Sequence, residues 1–371
     1  MSSSSSPSFA SSNYREVKVF VPFPSATNPI IHLIGVLAQH EPLDPSPANG
    51  NSRSAENRPL ALMMHGVLSH KNQSYHPLLA QTLPIDSFRF DFRGNDESPL
   101  FPGQEWDMAS FDCDVEDIDA VLAYLSDHYG YHCDLLIGHS RGSLVGWKWF
   151  AKKYGSAGML LQDSSSSFLP AEPPLWVSLG GRWRMERIHD RDNIYNPAFK
   201  EKGYYEWNAK VNRKAVSVRI HPPNVQAFND HPAADFCSAF PASTPCILIH
   251  GTEDETVPCA DVAYYLNILM SRNDRVASSA KNGGAAGSLT QVHLVEGGNH
   301  MLRGKYREVV DVITNWYRSQ RPFLAKKIYR GADDLQQDNT GSQFASAANH
   351  RDDILERSWQ RSIADSGRNK L

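Results

Sequence analysis

The stretch Gly138-His139-Ser140-Arg141-Gly142 sets one serine between two glycines. A serine hydroxyl attacks carbonyl carbon only when a base takes its proton and donors hold the charge that develops on oxygen. G-x-S-x-G by itself is weak evidence. Its setting adds to it: the apolar run Asp134–Ile137 precedes it, and the periodic RGSLVGWKWFAKKYG follows. A serine on a tight strand-to-helix turn stands clear of the sheet, and small flanking residues let the chain turn and the helix approach.

The base and its orienting acid come later in the chain. His300 lies in VEGGNHML, just past the apolar run QVHLV. Asp254 lies in HGTEDETVP, just past CILIHG. The order serine, acid, histidine is one in which such groups converge from the carboxyl ends of neighbouring strands. Asp163, after GMLLQ, competes for the role of acid, and Glu253 and Glu255 are weaker candidates. The N–H of Arg141, the residue after the serine, is one expected oxyanion donor. The second is the N–H of Val67 in MMHGVLSH, where Gly66 permits the turn. Substrate contacts are expected at His65, Gly66 and Leu68 of that loop, and at Trp176 and Trp183 further on. The Arg141 side chain could meet an anionic substrate group, but pairing with a nearby acid is the simpler role. His65, His70 and His76 are not spaced to bind zinc from one helix face. No metal and no organic cofactor is expected.

The elements that must hold these residues alternate. PIIHLIGVLAQ, LALMMHG, SFRFDFRG, CDLLIGHS, GMLLQDS, CILIHG and QVHLVEGG are runs of strand length. FDCDVEDIDAVLAYLSDHYG, RGSLVGWKWFAKKYG, CADVAYYLNILM and GKYREVVDVITNWYRS have helical periodicity. Apolar strands alternating with helices predict an α/β fold with a mostly parallel sheet covered on both faces. Residues 170–240 break the alternation with Trp176, Trp183, Tyr195, Tyr204, Tyr205 and Trp207. They are expected to form a helical cap before the penultimate strand, over the carboxyl ends where ligands bind. The alternative is helices packed on a small core of their own.

Together, HG at 65–66, DFRGNDES at 91–98, GHSRG at 138–142, GTEDETVP at 251–258 and GGNH at 297–300 resemble the α/β-hydrolase superfamily. Within it they look most like the serine-aminopeptidase-like, monoacylglycerol-lipase-like and cinnamoyl or feruloyl esterase-like branch. That branch usually carries D-x-R-G-x-G-x-S, and here Asp96 replaces the second glycine. The resemblance spans roughly residues 15–325. It implies a serine hydrolase acting on a carboxylic ester of a small or acyl-chain substrate through Ser140, Asp254 and His300. A peptidase or amidase with the same triad is the alternative, and a non-catalytic ligand-binding protein on this fold is a third. Serine in place of aspartate argues against the epoxide-hydrolase and haloalkane-dehalogenase members.

Composition bounds the rest. A formal charge of −4 over 371 residues provides no basic surface for nucleic acid. Five cysteines, an odd count with no CxxC pair, suggest neither a disulfide framework nor a zinc site, and fit a reducing compartment. No apolar run reaches the roughly 18 residues that span a bilayer, so stable membrane insertion is not expected. Residues 1–13 form a Ser-rich leader expected to be disordered, 14–330 the hydrolase domain, and 331–371 a polar tail. The segments 41–58 and 271–288 read as loops. The expected location is cytoplasmic. The ending Asn369-Lys370-Leu371 differs at one position from a peroxisomal address and keeps that alternative open. Nothing in the sequence specifies an oligomeric state.

Overall fold

Apolar runs of the sequence become one eight-stranded mixed sheet. A computed structural model describes residues 14–23, 29–40, 58–155, 168–170, 172–279 and 289–322, with backbone alone over 272–279. The expected strand GMLLQDS, the candidate acid Asp163, the leader, the C-terminal tail with its Asn-Lys-Leu ending, and most of the two loop segments lie outside these residues.

The strands are β1 Arg15–Phe23, β2 Ile31–Gln39, β3 Arg58–Met64, β4 Asp86–Phe90, β5 Tyr131–His139, β6 Leu175–Leu179, β9 Cys246–Gly251 and β10 Thr290–Val295, joined in the order β1-β2-β4-β3-β5-β6-β9-β10. β2 pairs antiparallel with β1 and β4, and the pairs from β4 to β10 are parallel. Every residue of β6 and β9 is buried, so side chains pointing to either face are covered. The helices are α1 His76–Thr82, α2 Phe111–Tyr129, α3 Arg141–Tyr154, α4 Asp192–Lys202, α5 Pro222–Asn229, α6 Ala233–Ser238, α7 Asp261–Ser279 and α8 Tyr306–Gln320. α1 packs with α8, while α2, α3, α6 and α7 pack in series. α2 ends on Gly130 at φ +69°, a left-handed cap that glycine adopts without strain.

The structure departs from the sequence expectations in four places. β1 was not anticipated, because only Val19 and Val21 of its nine residues are buried and the apolar alternation is weak. α7 runs on to Ser279, through residues expected to be a loop. The polar composition of 271–279 does not prevent a helix, since Arg, Ala and Ser are tolerated there.

β6 is the third departure, and it reassigns Trp176. LWVSL lies between Pro174 and Gly180, and it enters the sheet between β5 and β9. Trp176 is therefore a core residue with no exposed surface, and it cannot line a substrate pocket. Its ring meets Trp147 edge-on at 5.6 Å and Phe150 at 5.5 Å. Trp147 stacks in turn on Tyr265 at 5.3 Å. These rings clamp α3 against the sheet behind Ser140. Trp176→Ala is expected to cost about 3–5 kcal/mol in urea unfolding, the usual range for deleting a large buried aromatic. A pocket wall would instead shift KM and leave stability in place.

The fourth departure is the cap, which leaves the sheet after β6 and returns at β9. It contains a 3-10 segment Met185–Arg191, α4, α5 and also a hairpin of β7 Tyr205–Val211 and β8 Lys214–Ile220. The hairpin turns at Asn212 and Arg213, both with positive φ, as a two-residue turn between twisted strands requires. Ile188, Tyr195, Val211, Ile220 and Val225 bury one another, joined by Leu68, Trp106 and Met108 from the main body. Tyr195, with Phe199, Tyr205 and Trp207 packed against the cluster, thus helps build a small core that the cap shares with the loops beneath.

Candidate active site

The turn between β5 and α3 is as tight as its glycines require. Ser140 has φ +54° and ψ −114°, outside the regions favoured by residues with a side chain. It is held there by Ser140 N–H donating to Leu179 O at 2.8 Å and Gly142 N–H donating to His65 O at 3.1 Å. A Cβ on Gly138 would lie 2.4 Å from Gly142 O, and one on Gly142 would lie 2.7 Å from Met64 O. No other residue fits either position. The strain at Ser140 is over-determined by these contacts.

His300 and Asp254 meet Ser140 from the ends of β10 and β9. His300 Nε2 is 2.9 Å from Ser140 Oγ, and His300 Nδ1 is 2.7 Å from Asp254 Oδ2. Asp254 Oδ1 accepts from the N–H groups of Thr256 at 2.9 Å and Val257 at 2.7 Å. His250 Nε2 lies 3.3 Å from Oδ2. Burial alone would raise the Asp254 carboxyl. The bonds from His250, His300 and Val257 outweigh it and hold the group well below the usual carboxylate range. An ionised Asp254 accepts from Nδ1–H, so the Nε2 lone pair of His300 faces the Ser140 hydroxyl. The backbone of His300 is pinned too: its N–H donates to Glu255 Oε2 at 3.3 Å, and its carbonyl accepts from His139 Nε2 at 2.9 Å. Glu255 therefore touches the histidine's backbone, and Asp254 touches its ring. Gly180, just past β6, fits against the other side, since a Cβ there would lie 3.4 Å from His300 Cε1.

The loop after β3 runs past the serine. A Cβ on Gly66 would lie 3.4 Å from Ser140 Cβ. His65 is buried. Its Nε2 accepts from Phe92 N–H at 3.0 Å, so its Nδ1–H donates to Gly66 O at 2.7 Å. Burial pushes this imidazole down to about 3, and it stays neutral. Leu68 turns with φ +42° into the small cap core.

The remaining candidates divide. The Arg141 side chain is buried against Asp114, with Nε 2.7 Å from Oδ2, and so is not offered to a substrate. Trp183 is partly buried, stacked on Tyr264 at 5.9 Å, with its backbone N–H donating to Asp261 Oδ2. It lines a cavity of about 220 Å³ with Met185, His231 and Ala233, and no member of the Ser140 cluster lines that cavity.

Asp96 explains the departure from D-x-R-G-x-G-x-S. With φ +43° it takes the turn a glycine would, and its carboxylate accepts from Asn212 Nδ2 at 2.9 Å and Lys214 Nζ at 3.3 Å in the hairpin. Asp96 thereby anchors the cap. With Asp91 and Glu97 it forms the one group of carboxylates among the described residues close enough to hold a cation. The ammonium of Lys71 already stands there, 2.5 Å from both Asp91 and Glu97. Gln73, His139 and His250 escaped the sequence analysis, because nothing in their own neighbourhoods marks them.

The chain matches the model of the alpha/beta hydrolase family over residues 61–312. An uncharacterised protein of Saccharomyces cerevisiae is 25% identical over 272 residues, covering 68% of this chain and 78% of the yeast protein. Est1E from Butyrivibrio proteoclasticus superposes with a TM-score of 0.51 at 15% identity, over 82% of this chain and 99% of that one. A candidate hydrolase of Agrobacterium vitis S4 superposes with a TM-score of 0.51 at 14% identity, over 82% and 98%. The two structural likenesses are of fold.

Proposed function

We propose that this chain, which belongs to the alpha/beta hydrolase family, is a serine hydrolase that cleaves a carboxylic ester through Ser140, His300 and Asp254. The observation that carries the proposal is the unbroken relay: Oγ within 2.9 Å of Nε2, and Nδ1 within 2.7 Å of an ionised carboxylate that two backbone N–H groups also hold.

In the first half-reaction His300 Nε2 takes the proton of Ser140 as Oγ bonds to the acyl carbon. The tetrahedral oxyanion collapses, the ester C–O bond breaks, and His300 returns the proton to the leaving alkoxide. Water then attacks the acyl carbon while His300 takes its proton, the bond from that carbon to Oγ breaks, and His300 returns the proton to Ser140 as the acid leaves. Asp254 keeps the imidazole oriented and stabilises it when charged.

The oxyanion is assigned to the N–H groups of Val67 and Arg141. Among the described residues neither has a hydrogen-bond partner. Arg141 opens α3, and the first N–H groups of a helix have no partner within it. For Val67 the support is the peptide plane. His65 holds the Gly66 carbonyl, and in a trans peptide the next N–H points the opposite way.

A fluorophosphonate probe tests the proposal. The folded protein is expected to gain one phosphonyl adduct, found by peptide mass mapping on Ser140. Absence of an adduct, or its placement on another residue, would sink the assignment. Turnover of a short-chain nitrophenyl ester against an aminoacyl anilide separates an esterase from an amidase, and the ester is expected to win.

A further inference from the structure

A buried chain of hydrogen bonds ties the Val67 loop to the loop that carries His300. It begins at Gln73, between β3 and α1, whose side chain is buried. Gln73 Oε1 accepts from Gly66 N–H at 3.3 Å and from the Ser69 hydroxyl. Two donors on one side fix the amide orientation, so Nε2 faces the other way, 3.0 Å from His139 Nδ1. Because Nε2 of Gln73 can only donate, Nδ1 of His139 must accept. The proton of His139 therefore sits on its own Nε2, which donates to His300 O at 2.9 Å. The Tyr75 ring, stacked at 5.7 Å, holds the imidazole in place. Burial keeps His139 neutral, pushed down to about 3, so this single tautomer persists at working pH.

We infer that Gln73 and His139 are positioning residues that set the oxyanion loop and the His300 loop in register across Ser140. Gly66 is then held at both ends of its backbone, by His65 at the carbonyl and by Gln73 at the N–H. The peptide that presents Val67 N–H cannot flip without breaking the bond to His65, and Gln73 fixes the peptide before it, which limits how far Gly66 can turn. The same amide, through His139, fixes the carbonyl of His300. Neither side chain touches the reacting atoms. The inference rests on the serine-hydrolase proposal above and extends it to residues outside the triad.

The test uses Gln73→Leu, which keeps the bulk and removes every bond, and His139→Phe, which keeps the ring on Tyr75 and removes both nitrogens. With a short-chain nitrophenyl ester, each folded variant is expected to lose about tenfold to a hundredfold in kcat with KM within about twofold of wild type. A loosened donor should lose less than the 10²–10³ of a deleted one. Fluorophosphonate labelling should slow by the same factor. The double variant should lose no more than the worse single one, because both break one chain.

Wild-type kcat in either folded variant would overturn the inference, as would losses that multiply or a loss seen in KM alone. If Gln73→Leu does not fold, His139→Phe decides by the same criterion. Full activity in the variants beside a labelled wild type removes only this inference. A wild type that is never labelled removes the hydrolase proposal as well.

Discussion

Replacing Ser140 by alanine is expected to lower kcat for a short-chain ester by about 10⁶-fold while leaving the protein folded. Loss of the attacking atom alone costs that much where a serine, a histidine and an acid act as one unit. The residual rate over water, about 10³–10⁴, would come from the oxyanion donors and binding. Stability should change little. Among the described residues the hydroxyl makes one bond, to His300, and losing one such bond costs about 0.5–1.5 kcal/mol. The backbone at φ +54° is held by Leu179 and by the contacts of Gly142, which alanine leaves alone. Steady-state kinetics beside a thermal melt give both numbers from one preparation. A decrease below a hundredfold, with the melt unchanged, would mean that another group attacks.

Asp254→Asn is expected to lower kcat by about 10⁴-fold at neutral pH, through a misplaced proton. Oδ1 of Asp254 faces two backbone N–H groups, and Oδ2 faces His300 Nδ1. An asparagine must turn its one oxygen to the two backbone donors, which leaves its NH₂ facing Nδ1. The imidazole can then accept there only by carrying its proton on Nε2, where it blocks the Ser140 hydroxyl. A loss below tenfold would sink the assignment of Asp254.

The same carboxyl has a consequence for stability. Its value in the folded chain lies below the unfolded value of about 3.9, so its contribution is full above that pH and is lost as pH falls through the folded value. From about pH 4 downward the wild type should therefore lose stability more steeply than Asp254→Asn. Chemical denaturation at a series of acid pH values would show the two curves converging.

Much of this site was legible because its signals are local. Gly138 and Gly142 stand beside Ser140 in sequence for the same reason that they fit nothing larger in space. Asp254 and His300 each follow an apolar run of strand length, and parallel strands bring their carboxyl ends to one side of the sheet. A period of two or three residues, a glycine at a turn and the order of three side chains all lie within short windows of the chain.

What the sequence determined by itself is thus the sheet's alternation with helices, the serine turn, and the candidate triad with its order. What only the tertiary structure decided depends on pairings across long separations. LWVSL and its flanking prolines and glycines could have been read as a strand, but only insertion between β5 and β9 buries Trp176 and removes it from any pocket. Asp96 looked like a flaw in a motif until the cap hairpin supplied Asn212 and Lys214 to its carboxylate, 116 and 118 residues along the chain. Gln73 and His139 are 66 residues apart, and His139 and His300 are 161 apart. No local pattern encodes such bonds. A buried polar group needs a partner wherever the fold can bring one, and the fold alone says which partner that is.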